Sequence, residues 1–375
     1  MCSANRLDGA LALVDHQHFT LVAVRANLHI RQRDAFGWEA MHVPDQMHVP
    51  APVIPPGDAV REPIRLLHRL PHPICYVMAG GGAHGSVQWG LLQALAETDI
   101  EPDTLVGTSA GSLTSAIVSE DPLSAVSRLS YVWSQLDLDV LVGDSWMSML
   151  TAATRKNVSL ADNATERATL EAILVARDFA DLRLPTAAVA TDLATGRATA
   201  FDSGELIPAL LASSAIPGML PPVTIGGRTY IDGLASANLP ARIAVERGAK
   251  SIVVLDTGSR EQPPVSASPT KVVSRVNSIL NASQRRAQLA YASARVPVLV
   301  LPTPENLGAA LDFRGTMMAA SSAYELARQF LFDASRSRAR TKLKPGLYAR
   351  PERYAHDPDL SVFLHPVERS GAAHG

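Results

Sequence analysis

The sequence predicts an α/β fold built in layers on a mainly parallel sheet. Three observations lead there: short apolar runs that read as buried strands, helical stretches between them, and glycine turns at the joints. The pattern of strand, glycine turn and helix starts at residue 74 and repeats along the middle of the chain.

The expected strands are Ile74–Ala79, Thr104–Val106, Thr186–Ala190, Thr224–Ile231, Ser251–Asp256 and Val298–Leu301. Between them lie helical stretches at Val87–Glu97, Gly111–Val118 and Lys271–Leu280. In the last of these, Val272, Val273, Val276, Ile279 and Leu280 recur at helical spacing, which predicts an apolar face turned to a core. A final helix around Met317–Phe332 is expected to cover the sheet, with Tyr324, Phe330 and Leu331 in the core. There is no internal repeat.

The flanks read differently. Residues 1–70 hold six of the eleven histidines, no sustained period and the proline-rich bridge Val49–Gly57. They are expected to form an extension, partly disordered, with Phe19–Arg25 as a strand-like run. His16, His18, His29, His42 and His48 lack a metal-ligand spacing, and no metal or cofactor is expected. Residues 71–335 are expected to make the domain. After Ser335 comes a basic run, Arg336–Lys344, and then a polar stretch to Gly375. That reads as a solvated tail or, alternatively, as a contact for anionic lipid headgroups.

Composition narrows the function. A chain of 375 residues with 47% hydrophobic and 19% charged residues buries a substantial core in one large domain or two ordinary ones. The net charge of −2 and an aromatic content of 5%, without basic–aromatic interleaving, argue against a nucleic-acid partner. Two cysteines, Cys2 and Cys75, exclude a cysteine-built zinc site and fit a reduced compartment. Asp8 and Asp15 interrupt the first apolar run, so it lacks the form of a signal peptide, and no run reaches the roughly 18 apolar residues of a membrane span. The expected location is the cytoplasm, with membrane contact at the periphery. Without a secretory signal, the N-x-S/T triplets at Asn157, Asn163 and Asn281 read as chance.

Two glycine motifs carry the chemistry. Gly80, Gly82 and Gly85 satisfy G-x-G-x-x-G after a strand, the pattern of a dinucleotide loop. Such a site needs an acid about 20 residues on, at the end of the second strand, to take a ribose hydroxyl. That strand ends instead in Leu105–Gly111, with Glu101 and Asp103 just before it, and no G-K-S/T follows the loop. The dinucleotide reading fails on its context. Gly107-Thr108-Ser109-Ala110-Gly111 matches G-x-S-x-G at a strand-to-helix turn, which exposes a serine hydroxyl on a sharp elbow. The helix N-terminus behind it favours developing negative charge. Amides of the Gly80–Gly82 run are then candidate donors to an oxyanion.

A serine nucleophile also needs a base. No histidine lies between Gly85 and Ala355; His356, His365 and His374 fall in the expected tail, and His84 sits inside the glycine loop. A carboxylate is therefore the candidate. Asp232 ends a strand-like run before Gly233, and burial would raise its pKa from about 3.9 toward that of a useful base. Asp232-Gly233 also reads as a simple turn, and Asp192, Asp202 and Asp256 sit at comparable strand ends.

Four stretches together resemble the patatin-like phospholipase family: Gly80–Gly85, Gly107–Gly111, Ala212–Pro222 and Gly227–Gly233. They follow that family's order and spacing across roughly residues 74–302. The resemblance implies a three-layer α/β/α fold and hydrolysis of lipid acyl esters by a Ser–Asp dyad without a metal. Ser109 would be the nucleophile, Asp232 its base and Gly80, Gly81 and Gly82 the oxyanion loop. His84, Gly85, Gly107, Gly111 and Gly233 would support the motifs. Two positions depart from the family pattern: His84 replaces an Arg or Lys, and Leu234 replaces a small residue after Asp-Gly. A histidine anchor would be pH-dependent, and Leu234 would crowd the turn. The segment Tyr131–Leu150, with Trp133, Trp146, Met147 and Met149, lines or caps an acyl site, or is helix core. Transfer of the acyl group to an alcohol, and lipid binding without catalysis, stay open beside hydrolysis.

Overall fold

The computed structural model describes residues 69–135, 163–258, 269–305, 307, 312–336 and 341–369. Ten strands form one sheet: β1 (Ile74–Met78), β2 (Thr104–Thr108), β3 (Thr186–Asp192), β4 (Ala198–Phe201), β5 (Val223–Ile225), β6 (Arg228–Asp232), β7 (Ser251–Leu255), β8 (Pro297–Val300), β9 (Gly346–Ala349) and β10 (Leu364–Pro366). Their order is β10-β9-β8-β7-β1-β2-β3-β6-β5, with β4 also paired to β3. Pairing is parallel from β10 through β3 and antiparallel for β3/β4, β3/β6 and β5/β6.

The central strands read as continuous apolar runs because each feeds two cores. Tyr76, Met78, Leu105, Ala188, Val253, Leu255 and Leu299 point into one. Cys75, Val77, Val106, Val189, Ile252, Val254 and Val298 point into the other. On the first face lie α1 (Ser86–Ala96), α2 (Ala110–Glu120), α3 (Ala125–Gln135), α4 (Asn163–Ile173), α5 (Leu206–Ser214) and, further along the chain, α9 (Thr316–Ser335). On the second lie α6 (Leu234–Ala237), α7 (Ala241–Glu246), α8 (Pro269–Ser293) and α10 (Pro351–Tyr354). The fold is a three-layer α/β/α sandwich on a mainly parallel sheet. Helix α9 buries Tyr324, Phe330 and Leu331, and its backbone comes so near α1 that a Cβ on Gly90 would lie 2.0 Å from the Ala320 carbonyl oxygen.

The structure corrects three expectations. The run Thr224–Ile231 is a hairpin of β5 and β6. It turns at Gly226 and Gly227, whose φ angles of 58° and 76° fit a tight two-residue turn. Residues 346–366 are no tail: β9 and β10 extend the sheet, and Arg350 pairs with the buried Asp333 of α9 at 2.6 Å. Short edge strands containing glycine and proline lack the apolar run that marks the central ones. Finally, the stripe on α8 is not in the core: Val272, Val276, Ile279 and Leu280 are exposed. The extension expected over 1–70 lies outside the described residues apart from Arg69 and Leu70, both buried.

Candidate active site

Strand β2 ends at Thr108 and α2 begins at Ala110, leaving Ser109 alone on the elbow. Its φ of 55° and ψ of −128° make it the one non-glycine residue with positive φ among the described residues. Such a conformation costs on the order of 1–3 kcal/mol and persists only where the surroundings enforce it. Here they do. The Ser109 N–H donates to Ser213 Oγ at 2.9 Å, and that hydroxyl donates to the Val189 carbonyl at 2.6 Å. The Ser109 carbonyl accepts from the Ser112 N–H at 2.8 Å and its hydroxyl at 2.7 Å. Gly107 and Gly111 stand where backbones touch: a Cβ would lie 2.3 Å from the Gly111 oxygen in the first case and 2.4 Å from the Met78 oxygen in the second.

Asp232 arrives from the far side of β3. The β5–β6 hairpin sets Asp232 opposite Ala190, and Gly233 lets the chain turn against β3, where a Cβ would lie 2.3 Å from the Val189 oxygen. The carboxyl is buried and accepts the Leu234 N–H at 2.7 Å, and the Ser109 hydroxyl lies close enough to favour its charged form. Burial pushes its pKa up to about 6, while the Leu234 amide and then the Ser109 hydroxyl hold it back. Ser109 and Asp232, which are distant in sequence, therefore share one dry site. Leu234 does not crowd the turn: it is the first residue of α6, half-buried, and its N–H is a donor to the carboxylate.

The glycine loop lies against the same serine. A Cβ on Gly80 would fall 3.0 Å from Ser109 Cβ and 2.5 Å from Asn238 Oδ1. Gly80 cannot donate to an oxyanion, because its N–H is bound to the Asn238 carbonyl at 3.0 Å. The candidate donors narrow to Gly81 and Gly82, whose amides have no hydrogen bond among the described residues. Thr257 fastens the loop by donating its hydroxyl to the Gly80 carbonyl at 2.9 Å. Gly82–Gly85 form a short 3-10 turn in which the His84 N–H closes on the Gly81 carbonyl at 3.1 Å. Trp133 backs Gly85, so it is core, whereas Trp146, Met147 and Met149 lie outside the described residues.

The comparison acids are engaged elsewhere. Asp192 pairs with Arg228 at 3.3 Å, Asp202 with Arg247 at 2.7 Å, and the fully buried Asp256 with Arg285. Burial pushes the Cys75 thiol up to about 12, which removes it as a nucleophile. A cavity of about 460 Å³ near β8–β10 is lined by Arg69, Asp333, Tyr348 and His365, and holds none of the site residues.

Two participants were not assigned from sequence. Ser213 lies within the Ala212–Pro222 run, but its bond to the Ser109 amide spans 104 positions. Glu166 of α4 is buried, accepts the Ser214 hydroxyl and lies near enough to Asp232 to feel its charge. Burial first, and Asp232 last, push its pKa up to about 7 against the pull of Ser214. Below about pH 7 Glu166 keeps its proton and spares the site a second negative charge. No signal in a polar helix foretells that.

Fold and site define an α/β protein with a serine elbow and a buried acid, and residues 76–245 match the patatin-like phospholipase family. The chain is similar to proteins that carry a patatin-like phospholipase domain. It is 30% identical over 192 residues to patatin-like phospholipase domain-containing protein 7 of Mus musculus, covering 50% of this chain and 14% of the relative. Lysophospholipase NTE1 of Debaryomyces hansenii is 27% identical over 183 residues, covering 49% of this chain and 12% of the relative. The chain thus spans a small part of the length of these curated relatives. VipD from Legionella pneumophila aligns over 71% of this chain and 67% of its own with a TM-score of 0.41 and 13% identity.

Proposed function

We propose that this protein is a serine acyl hydrolase for fatty-acyl esters of phospholipids, lysophospholipids or related lipids. One observation supports the reading: a buried acid with no ion pair among the described residues lies close enough to the hydroxyl of a strained serine for that hydroxyl to favour its charged form. An acid with a pKa of about 6 is ionised at neutral pH yet far more basic than an exposed carboxylate.

Ser109 Oγ attacks the ester carbonyl while Asp232 takes its proton. The amides of Gly81 and Gly82 stabilise the oxyanion. Collapse breaks the ester bond, Asp232 returns the proton to the departing alcohol, and an acyl-Ser109 remains. Asp232 then deprotonates a water that attacks the acyl-enzyme; the bond between Ser109 Oγ and the acyl carbon breaks, Asp232 returns the proton to Ser109 Oγ, and the fatty acid leaves. The catalytic domain in this reading starts near residue 71 and extends beyond residue 335 to take in β9 and β10. A cytoplasmic location with peripheral lipid contact belongs to the same proposal. Among the described residues no helix is long and apolar enough to cross a membrane.

Incubation with a short-chain p-nitrophenyl ester and a fluorophosphonate probe tests the reading. The wild type is expected to hydrolyse the ester and to be labelled, and Ser109→Ala to do neither. A well-folded wild type that resists both overturns it, and acyl-glycerol formed in added glycerol assigns the second step to transfer.

A further inference from the structure

Helix α8 has two unlike halves. The C-terminal half is packed: Leu289 and Ala292 are fully buried, and Arg285 pairs with the buried Asp256. Gln284 Oε1 accepts the Asn238 N–H at 2.9 Å, and Gln288 Oε1 accepts the Arg242 N–H at 2.8 Å. These contacts align α8 with the Asn238–Glu246 segment in the same direction and set its height. Gln284 is level with Asn238, whose carbonyl holds the Gly80 N–H of the glycine loop. The stretch Pro269–Ser283, about 22 Å long at 1.5 Å per residue, therefore runs on the side of the carboxyl ends of the central strands. Ser109 lies at the same end of the sheet.

Along this stretch none of the described side chains is buried. Val272 and Val276 are 47% exposed, Ile279 51% and Leu280 61%. Their spacing puts them on one helical stripe, the face that sequence periodicity assigned to the core. Single exposed apolar residues are ordinary, but an aligned set marks a surface that meets something apolar. The charge is equally one-sided. Lys271 and Arg275 lie in this half of α8 without any Asp or Glu, whereas Arg285 and Arg286 of the packed half pair with Asp256 and Asp359. Arg275 has no ion pair among the described residues.

We propose that the N-terminal half of α8 is a docking arm for an anionic lipid surface. Val272, Val276, Ile279 and Leu280 enter the interface, and the positive charge of Arg275 draws the helix to the headgroups. The inference rests on the lipid-ester reading of Ser109, since docking at that end of the sheet would bring acyl substrate to the elbow. Two features favour lipid over a protein partner. The stripe is wholly aliphatic, without the aromatic anchors typical of protein hot spots, and its flanking charge is cationic, as in helices that lie at anionic interfaces.

The full chain would be sedimented with vesicles of phosphatidylcholine alone or with about one-third phosphatidylserine, with size-exclusion chromatography and hydrolysis of a soluble p-nitrophenyl ester in parallel. Wild type and Ser109→Ala are expected to bind the anionic vesicles equally and the neutral ones poorly. The double variant Ile279→Ser, Leu280→Ser should lose at least about tenfold in vesicle binding. Arg275→Glu should lose several-fold, with binding weaker at high salt. Both should hydrolyse the soluble ester within about twofold of wild type. Vesicle binding undiminished in the double variant overturns the proposal, as does equal binding to neutral vesicles. A dimer that the double variant breaks, with no vesicle binding by wild type, assigns the stripe to a second copy and also overturns it. Ile279-dependent vesicle binding without ester hydrolysis upholds the arm and sinks the catalytic reading alone.

Discussion

Asp192 and Asp232 end neighbouring strands of one antiparallel pair, and both are almost wholly buried, at 4% and 1% exposed. Their proton affinities move in opposite directions. Asp192 accepts the Thr195 and Ala194 amides at 3.0 Å and lies 3.3 Å from Arg228; the Thr195 amide leads in holding its carboxyl below the usual value. Asp232 has one amide and one serine hydroxyl, and burial drives it up to about 6. Depth alone does not make a base. A carboxylate gains basicity where burial outweighs the donors, and β6 brings Asp232 to such a place near Ser109.

The largest effect expected is on Ser109. Ser109→Ala should lower kcat/KM for an ester by at least about ten-thousandfold, with fluorophosphonate labelling abolished. Next is the contrast of acids: Asp232→Asn should cut kcat by roughly a thousandfold, whereas Asp192→Asn should leave kcat within severalfold. The same pair should part in stability. Folded Asp232 keeps its proton up to about pH 6, whereas its unfolded value is near 3.8, so the native state binds more protons between those limits. Stability attributable to Asp232 therefore falls as pH rises through that window, by roughly 3 kcal/mol at most.

Urea denaturation at pH 7 should accordingly find Asp232→Asn more stable than wild type, the gain shrinking toward pH 4. Asp192→Asn should be less stable at pH 7, because the contribution of a lowered carboxyl is present above its ordinary pKa and is lost only in acid. Smaller effects are expected at the supports. Ser213→Ala removes the acceptor of the Ser109 amide, and should cost about tenfold in kcat with KM little changed, and roughly 1 kcal/mol in stability. Leu234→Ala should change kcat by no more than about twofold, since Leu234 reaches Asp232 through its backbone N–H.

Much of the sheet was legible because β1, β2, β3, β7 and β8 are apolar on both faces, and such runs stand out. The edges were not: β9 and β10 are short, and Gly346 and Pro366 interrupt their pattern. Periodicity identified the α8 stripe but misjudged its burial, because spacing gives a face and not what covers it. Ser109 was legible from a local motif whose strand, turn and helix are contiguous. Asp232 needed the family resemblance, since a strand end with an acid describes Asp192 and Asp256 equally well. Ser213 and Glu166 meet the site only through tertiary contacts with distant segments, and nothing local marks them.

Asp232 is proposed as the base that activates Ser109, and the rate of Ser109 labelling by a fluorophosphonate from pH 4 to 8 measures that role most directly. The rate should rise with one inflection near the Asp232 pKa of about 6, and Asp232→Asn should label roughly a thousandfold more slowly without that inflection. Labelling of Asp232→Asn at the wild-type rate, with the inflection intact, would contradict it.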